Sequence, residues 1–138
     1  MNGRPLPVPD AVSAPYWESC ARHVLSLPRC SRCGAFSFPP DVACPRCGSS
    51  EPGFRFEPVT PSGRIRTWTV IRQSFLQGFE TPFVLVDVEL RDQPEVRMIG
   101  RLLEDADTPL KPGDGVRVVF EDLAPGVSTP AFRLERGA

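Results

Sequence analysis

Apolar and polar residues alternate along much of the C-terminal half of the chain, which predicts β-strands. The clearest case is residues 83–90, where Val or Leu occupies every even-numbered position while Asp87 and Glu89 point to the opposite face. Polar turn residues separate the segments, and residues 125–130 are predicted to form a loop. The other predicted strands are 63–74, 96–103, 116–121 and 131–134. Five short strands without a helix among them predict a small closed barrel of the OB type.

The first of these strands is basic. One face is predicted to carry Ile65, Thr67, Thr69 and Ile71, and the other to carry Arg64, Arg66, Trp68, Val70 and Arg72. Three guanidinium groups on one strand face predict a local anion-binding strip, and a solvated outer face is the alternative. The predicted ligand-binding residues are therefore Arg64, Arg66 and Arg72.

One amphipathic helix is predicted before the strands, with Ser13 as a possible N-cap and Pro28 at its end. It carries more apolar and aromatic surface than so small a module readily covers. We predict a partner interface formed by Tyr16, Trp17, Val24 and Leu25. The alternative is that Trp17 packs within its own module, against Phe36 and Phe38.

Four of the five cysteines form two C-x-x-C knuckles, each followed by glycine. Two such turns can place four thiolates around one ion at about 2.3 Å, and the glycine permits the left-handed backbone that each turn needs. The predicted metal ligands are Cys30, Cys33, Cys44 and Cys47. Because four protein ligands leave no position for water or substrate, we predict one structural Zn²⁺.

Iron is an alternative occupant, because tetrahedral thiolate sites also accept iron. Disulfide bonds are a second alternative, but C-x-x-C pairs in a chain whose N-terminus lacks the apolar core of a signal peptide favour a metal. The same N-terminus, and the lack of an apolar run of about 18 residues, lead us to expect a cytoplasmic protein that does not enter a membrane.

The 138 residues are 41% hydrophobic and 24% charged, which is ordinary for a soluble globular protein. We expect an extended Pro-rich arm over 1–12, a helix plus zinc ribbon over 13–56, and an OB-fold domain over 57–138. The net charge is −1, and the predicted barrel region is net acidic, so the chain lacks a positive field of the size that nucleic acids need.

Catalytic machinery is sparse in this sequence. The chain has one histidine, His23, and lacks both a G-x-S-x-G motif and a phosphate-binding glycine-rich loop. Asp87 and Glu89 could form an acid/base pair, but solvated strand carboxylates are the simpler interpretation. We predict no catalytic residue and expect that the protein is not an enzyme by itself.

The order and spacing of several motifs resemble one family over roughly residues 13–136. These motifs are Tyr16-Trp17, the four cysteines with Phe38-Pro39-Pro40 between the knuckles, Thr67-Trp68-Thr69-Val70, residues 82–90, and Pro112-Gly-Asp-Gly-Val116. The arrangement is similar to the rubredoxin-like zinc-ribbon plus OB-fold family associated with acyl-CoA metabolism.

The resemblance implies a non-catalytic accessory subunit of a thiolase-like enzyme, such as a ketoacyl-CoA thiolase or a retro-aldol lyase of steroid side chains. It implies a hetero-oligomer in which the OB domain stabilises the partner and helps form its acyl-CoA site. The arginine strip would then meet CoA phosphates or an acidic partner surface. The alternative function is a single-stranded nucleic-acid-binding module, a role that OB folds and zinc ribbons also serve. The acidic barrel region leads us to expect no nucleic acid.

Overall fold

The structure is a computed structural model that describes residues 3–135. Within this range it contains one helix, α1 (Ala14–Ala21), and seven strands. These are β1 (Ser26–Arg29), β2 (Arg55–Pro58), β3 (Ser62–Ile71), β4 (Phe83–Leu90), β5 (Arg97–Leu102), β6 (Gly115–Ala124) and β7 (Val127–Leu134). The prediction of a mainly β chain with an N-terminal helix, a ribbon and a five-stranded barrel is confirmed.

Strands β3 to β7 form a closed barrel in the order β3-β4-β5-β7-β6, and β6 pairs with β3 to complete it. All neighbours are antiparallel except β5 and β7, which run parallel and share the registered pair Leu102 and Phe132. The alternation in β4 sets the inside of the barrel, because its even-numbered residues are buried and its odd-numbered residues are partly exposed.

The predicted face pattern of β3 is wrong beyond Ile65. Ile65 pairs with Val88 while Thr67 pairs with Asp87, so a β-bulge places one extra residue, Arg66, in β3. A one-residue shift moves every later side chain to the other face. Trp68 and Val70 therefore pack against the core, whereas Thr67 and Thr69 are exposed.

The helix is shorter than the predicted one. It ends at Ala21 because the chain turns at His23, which adopts a left-handed φ of 59°. Pro28, the predicted end, lies instead in β1, which pairs with β2 in a two-stranded sheet. Ser13 occupies the N-cap position, but its hydroxyl accepts a hydrogen bond from the Asp10 amide at 3.1 Å and does not cap the helix.

The predicted loop at 125–130 is also wrong. Strands β6 and β7 form one long hairpin, and only Pro125 and Gly126 connect them. Gly126 has a φ of 73°, which suits the left-handed position of a tight turn. Pro130, the predicted end of the loop, pairs with Phe120 inside the hairpin.

Strand β2 spans the predicted boundary between residues 56 and 57, and the division into arm, ribbon and OB domain stays a prediction. Residues 1–2 of the predicted arm and 136–138 of the predicted OB domain lie outside the described residues. The only helix between residues 3 and 135 is far too short to cross a membrane.

Candidate metal centre and barrel surface

The two knuckles have the same local structure. The Gly34 amide donates to the carbonyl oxygen of Cys30, and the Gly48 amide donates to that of Cys44, each at 2.9 Å. Both glycines adopt a left-handed backbone, with φ values of 79° and 77°, which a residue with a side chain rarely adopts. Strand β1 leads directly into the first knuckle, so the small sheet positions Cys30.

The structure brings the four predicted ligands together, with all sulfur atoms within 4.8 Å of one another. The Sγ atoms of Cys30 and Cys47 are 3.9 Å apart, and those of Cys33 and Cys44 are 3.7 Å apart. Four sulfurs at about 2.3 Å from a tetrahedral zinc ion are separated by about 3.8 Å, whereas a disulfide needs about 2.05 Å. The cluster therefore has the size to hold one metal ion, and the disulfide alternative does not fit.

Backbone amides favour the thiolate at Cys44. The amides of Cys47 and Arg46 donate to its Sγ at 3.5 and 3.4 Å and lower the pKa of Cys44 to about 7. The Arg32 amide donates to Cys30 Sγ at 3.3 Å in the matching position of the first knuckle. Because the thiolate is the form that binds a metal, the two amides favour the metal-binding form of Cys44.

Cys30 and Cys44 are buried, whereas Cys33 and Cys47 are exposed at the edge of the cluster. All four donors come from the chain, which is the arrangement of a closed structural site. Cys20 lies elsewhere, fully buried on the helix, and burial raises its pKa to about 11. That thiol is thus kept protonated and lies outside the cluster.

The predicted interface residues divide into two groups. Tyr16 and Leu25 are only 5% and 2% exposed and belong to the chain's own core, which leaves little of their surface for a partner. Trp17 and Val24 are partly exposed. Trp17 packs edge-on against Tyr16 at a ring-centroid distance of 5.0 Å and lines a groove with the exposed Ile99. The interface role of all four residues stays a prediction.

The predicted arginine strip is not one continuous face. Arg64 and Arg66 are exposed on either side of buried Ile65, but the bulge interrupts the alternation and Arg72 lies beyond the end of β3. The Arg66 guanidinium pairs with the Glu89 carboxylate at 3.4 Å. Ligand binding by the three arginines stays a prediction.

The acidic pair on β4 is neutralised by arginines. Asp87 accepts hydrogen bonds from Arg97, and Glu89 pairs with Arg66. Both carboxylates lie on the outer face of the barrel. This arrangement fits the interpretation of Asp87 and Glu89 as surface carboxylates.

The single histidine is part of a Ser, Asp and His cluster in which the aspartate is central. His23 Nε2 lies 2.7 Å from Asp122 Oδ1, and the Ser128 hydroxyl donates to the same oxygen at 2.6 Å. Both contacts lower the pKa of Asp122, the serine contact more than the histidine contact. A nucleophilic relay needs the histidine between the other two groups, so this cluster ties the helix end to β6 without activating Ser128.

Sequence patterns did not indicate one long-range ion cluster. Arg4 of the N-terminal arm has a side chain only 6% exposed, and its two terminal nitrogens lie 3.3 Å from the two oxygens of Glu121. Arg101 contacts the same carboxylate at 3.4 Å. Because 117 residues separate Arg4 from Glu121, no local spacing could have revealed this contact.

Comparisons with known proteins agree with this architecture. A family model described as the ChsH2 rubredoxin-like zinc ribbon domain matches residues 17–53, and one described as the ChsH2 C-terminal OB-fold domain matches residues 56–121. No curated protein matches the sequence.

The solved structures that are similar to this chain include the following two. One is named Ltp2-ChsH2(DUF35) aldolase, with 25% identity, a TM-score of 0.80, and coverage of 93% of this chain and 98% of that chain. The other is a DUF35-family protein of unknown function from Sulfolobus solfataricus, with 12% identity, a TM-score of 0.60, and coverage of 91% and 86%. The second likeness shows the fold alone.

Proposed function

The chain belongs to the ChsH2 family of rubredoxin-like zinc-ribbon and OB-fold proteins, and we propose that it is the accessory subunit of a thiolase-like enzyme. The partner is a ketoacyl-CoA thiolase or a retro-aldol lyase acting on steroid side chains. The chain stabilises this partner and helps to form its acyl-CoA site. The observation that carries the proposal is the likeness, over nearly the whole of both chains, to the structure named Ltp2-ChsH2(DUF35) aldolase.

The non-catalytic role is supported by the state of the reactive side chains. His23 and Ser128 both contact Asp122, and Asp87 and Glu89 are paired with arginines. The four clustered cysteines supply every ligand of a tetrahedral ion. Zinc bound there would hold the ribbon in shape, and the chemistry of the complex belongs to the partner.

The proposal is tested by mixing the purified chain with the thiolase-like subunit of the same organism. We expect the isolated chain to turn over no acyl-CoA, and a stable hetero-oligomer to form whose activity exceeds that of the partner alone. The assay measures acyl-CoA cleavage as the amount of the smaller product released. Turnover by the isolated chain, or a partner whose stability and activity are unchanged by it, would overturn the accessory role.

Trp17→Ala tests where the partner binds. Trp17 lies in a groove between the helix and the barrel with Phe38 and Ile99, and aromatic residues in such positions commonly anchor interfaces. We expect the substitution to weaken association by about 2 kcal/mol or more, which is about 30-fold in Kd. Val42→Ala is the control, because Val42 is an exposed apolar residue outside this groove. Equal Kd values for the two variants would remove Trp17 from the interface.

Charge reversal at Arg64 and Arg66 tests the anion-binding role. We expect Arg64→Glu/Arg66→Glu to raise the KM of the complex for acyl-CoA several-fold. Both arginines are exposed on the barrel, and the glutamates that replace them would repel phosphate. Arg133→Glu is the matched control, since Arg133 also sits on a barrel strand opposite a glutamate, Glu104. An unchanged KM would contradict the role.

The nucleic-acid alternative is disfavoured by the position of Trp68. Stacking of single-stranded bases needs exposed aromatic rings beside a basic groove, and the bulge in β3 turns Trp68 toward the core. We expect no binding of single-stranded DNA at micromolar concentration in physiological salt. Fluorescence anisotropy of a labelled oligonucleotide measures this directly.

A further inference from the structure

A groove of about 320 Å³ lies on the outer surface of the barrel, between the N-terminal arm and the connection from β3 to β4. Its walls are mainly apolar, and we refer to it as the barrel groove. The apolar lining comes from Leu76, Phe79, Phe83, Leu85, Leu123 and Pro130. Its volume lies at the lower end of the range for small-molecule sites, which are typically apolar with a few charged groups.

The charged groups of the barrel groove carry a net positive charge. Arg4 and Arg101 both line it, and the single carboxylate of Glu121 serves both guanidinium groups. Arg4 uses both oxygens of that carboxylate, so Arg101 shares one oxygen that is already occupied. The Nε of Arg101 has no hydrogen-bond acceptor among residues 3–135. This Nε is buried, and the described residues therefore leave part of the donor capacity of Arg101 unused.

Aromatic rings frame these guanidinium groups. The Phe79 and Phe83 rings stack with centroids 5.7 Å apart. Arg4 lies over Phe79 at 5.3 Å, and Arg101 lies over Phe83 at 5.9 Å. Exposing an apolar surface on the outside of a barrel costs free energy unless a ligand or partner covers it. Here that surface adjoins Arg101, whose hydrogen-bond donors are only partly used. Apolar residues beside a guanidinium group suit a ligand that has an apolar body and an anionic group.

We propose that the barrel groove binds an amphipathic monoanion, with Arg101 holding the anionic group and Leu85 and Phe83 contacting the apolar body. The location agrees with OB folds in general, whose ligands bind on the face of the second and third barrel strands beside the loop before the second strand. Phe83 and Leu85 lie on β4 and Arg101 lies on β5, which are the second and third strands of this barrel.

Calorimetric titration of the isolated 138-residue chain with decanoate tests the proposal, using decanol as the uncharged analogue. We expect one decanoate per chain and at least tenfold weaker binding of decanol, because only the carboxylate gains a charge-assisted contact. Arg101→Gln should reduce decanoate binding at least tenfold, to the level of decanol. Arg97→Gln is the matched control, since Arg97 lies on the same strand, pairs with Asp87 and does not line the groove.

Leu85→Gln provides a second test that does not depend on Arg101. Leu85 points outward from β4, so the variant should fold, and it should weaken decanoate and decanol alike. Equal binding of decanoate and decanol, equal effects of Arg101→Gln and Arg97→Gln, unchanged binding in Leu85→Gln, or no decanoate binding would each overturn the proposal. The inference does not rest on the accessory role, because it is measured without a partner.

Discussion

Replacing Cys44 with serine is expected to abolish zinc binding and to unfold the ribbon while the barrel stays folded. The Cys44 thiol is buried, receives two backbone hydrogen bonds and lies 3.7 Å from the Cys33 sulfur, so serine removes a central ligand. Binding of a structural zinc ion contributes about 10–16 kcal/mol in small zinc modules, far more than the ribbon's two four-residue strands can supply. The barrel strands supply most of the buried core, including Val84, Val86, Val88 and Leu90, and need no metal to hold it.

Metal analysis and hydrogen exchange together measure this outcome. The wild-type chain should contain one zinc per molecule, and the variant should contain none and should lose protection at β1 and β2 only. Cys20→Ser is the control, because Cys20 is also buried but lies outside the cluster. That variant should keep its zinc, whatever it loses in stability. A Cys44→Ser protein with a full equivalent of zinc would refute the assignment, and iron in place of zinc would correct the metal.

The parts of the fold that were predictable from sequence depend on local patterns. The cysteine cluster could be predicted because each knuckle is a five-residue unit whose geometry is set by its own glycine. Strand β4 was predicted at its observed bounds, since a buried face alternates with a half-buried one throughout its length. Both patterns lie in consecutive residues, so each element could be predicted without the rest of the chain.

The errors arise where a long-range contact overrides a local pattern. The bulge in β3 depends on how β4 pairs with it, and a single extra residue turned Trp68 from the predicted outer face to the core. The helix ends at Ala21, just before the turn at His23, whose side chain contacts Asp122 of β6, although the apolar spacing continues toward Pro28. The contact of Arg4 with Glu121 has no local signal at all. Site residues that rest on such contacts had to come from the structure.

The seam between β5 and β7 is sensitive to side-chain size. The two strands share one registered pair, and the Leu103 amide donates to the Phe132 carbonyl oxygen at 2.9 Å. The Phe132 ring is 1% exposed and lies against Gly100, where a Cβ atom would come within 2.7 Å of the ring. The ring fills the space that the missing side chain of Gly100 leaves.

We expect Phe132→Ala to lower the free energy of unfolding by about 3–5 kcal/mol, because it removes a fully buried ring at the seam. Gly100→Ala should cost about 1–3 kcal/mol by overpacking against the same ring. A smaller side chain at position 132 should relieve that clash. The loss of unfolding free energy in Gly100→Ala/Phe132→Leu should therefore be about 1 kcal/mol smaller than the sum of the losses in the two single variants.

Gly63→Ala separates this side-chain complementarity from general intolerance of glycine substitution. A Cβ atom at Gly63 would collide with the main-chain carbonyl oxygen of Glu89, which a substitution at Phe132 cannot move. Gly63→Ala and Phe132→Leu should therefore be additive within about 0.5 kcal/mol in denaturant unfolding, whereas the pair at Gly100 should not. Additivity in both pairs would show that the ring of Phe132 does not set the space at Gly100, and that the seam is held by its backbone pairing alone.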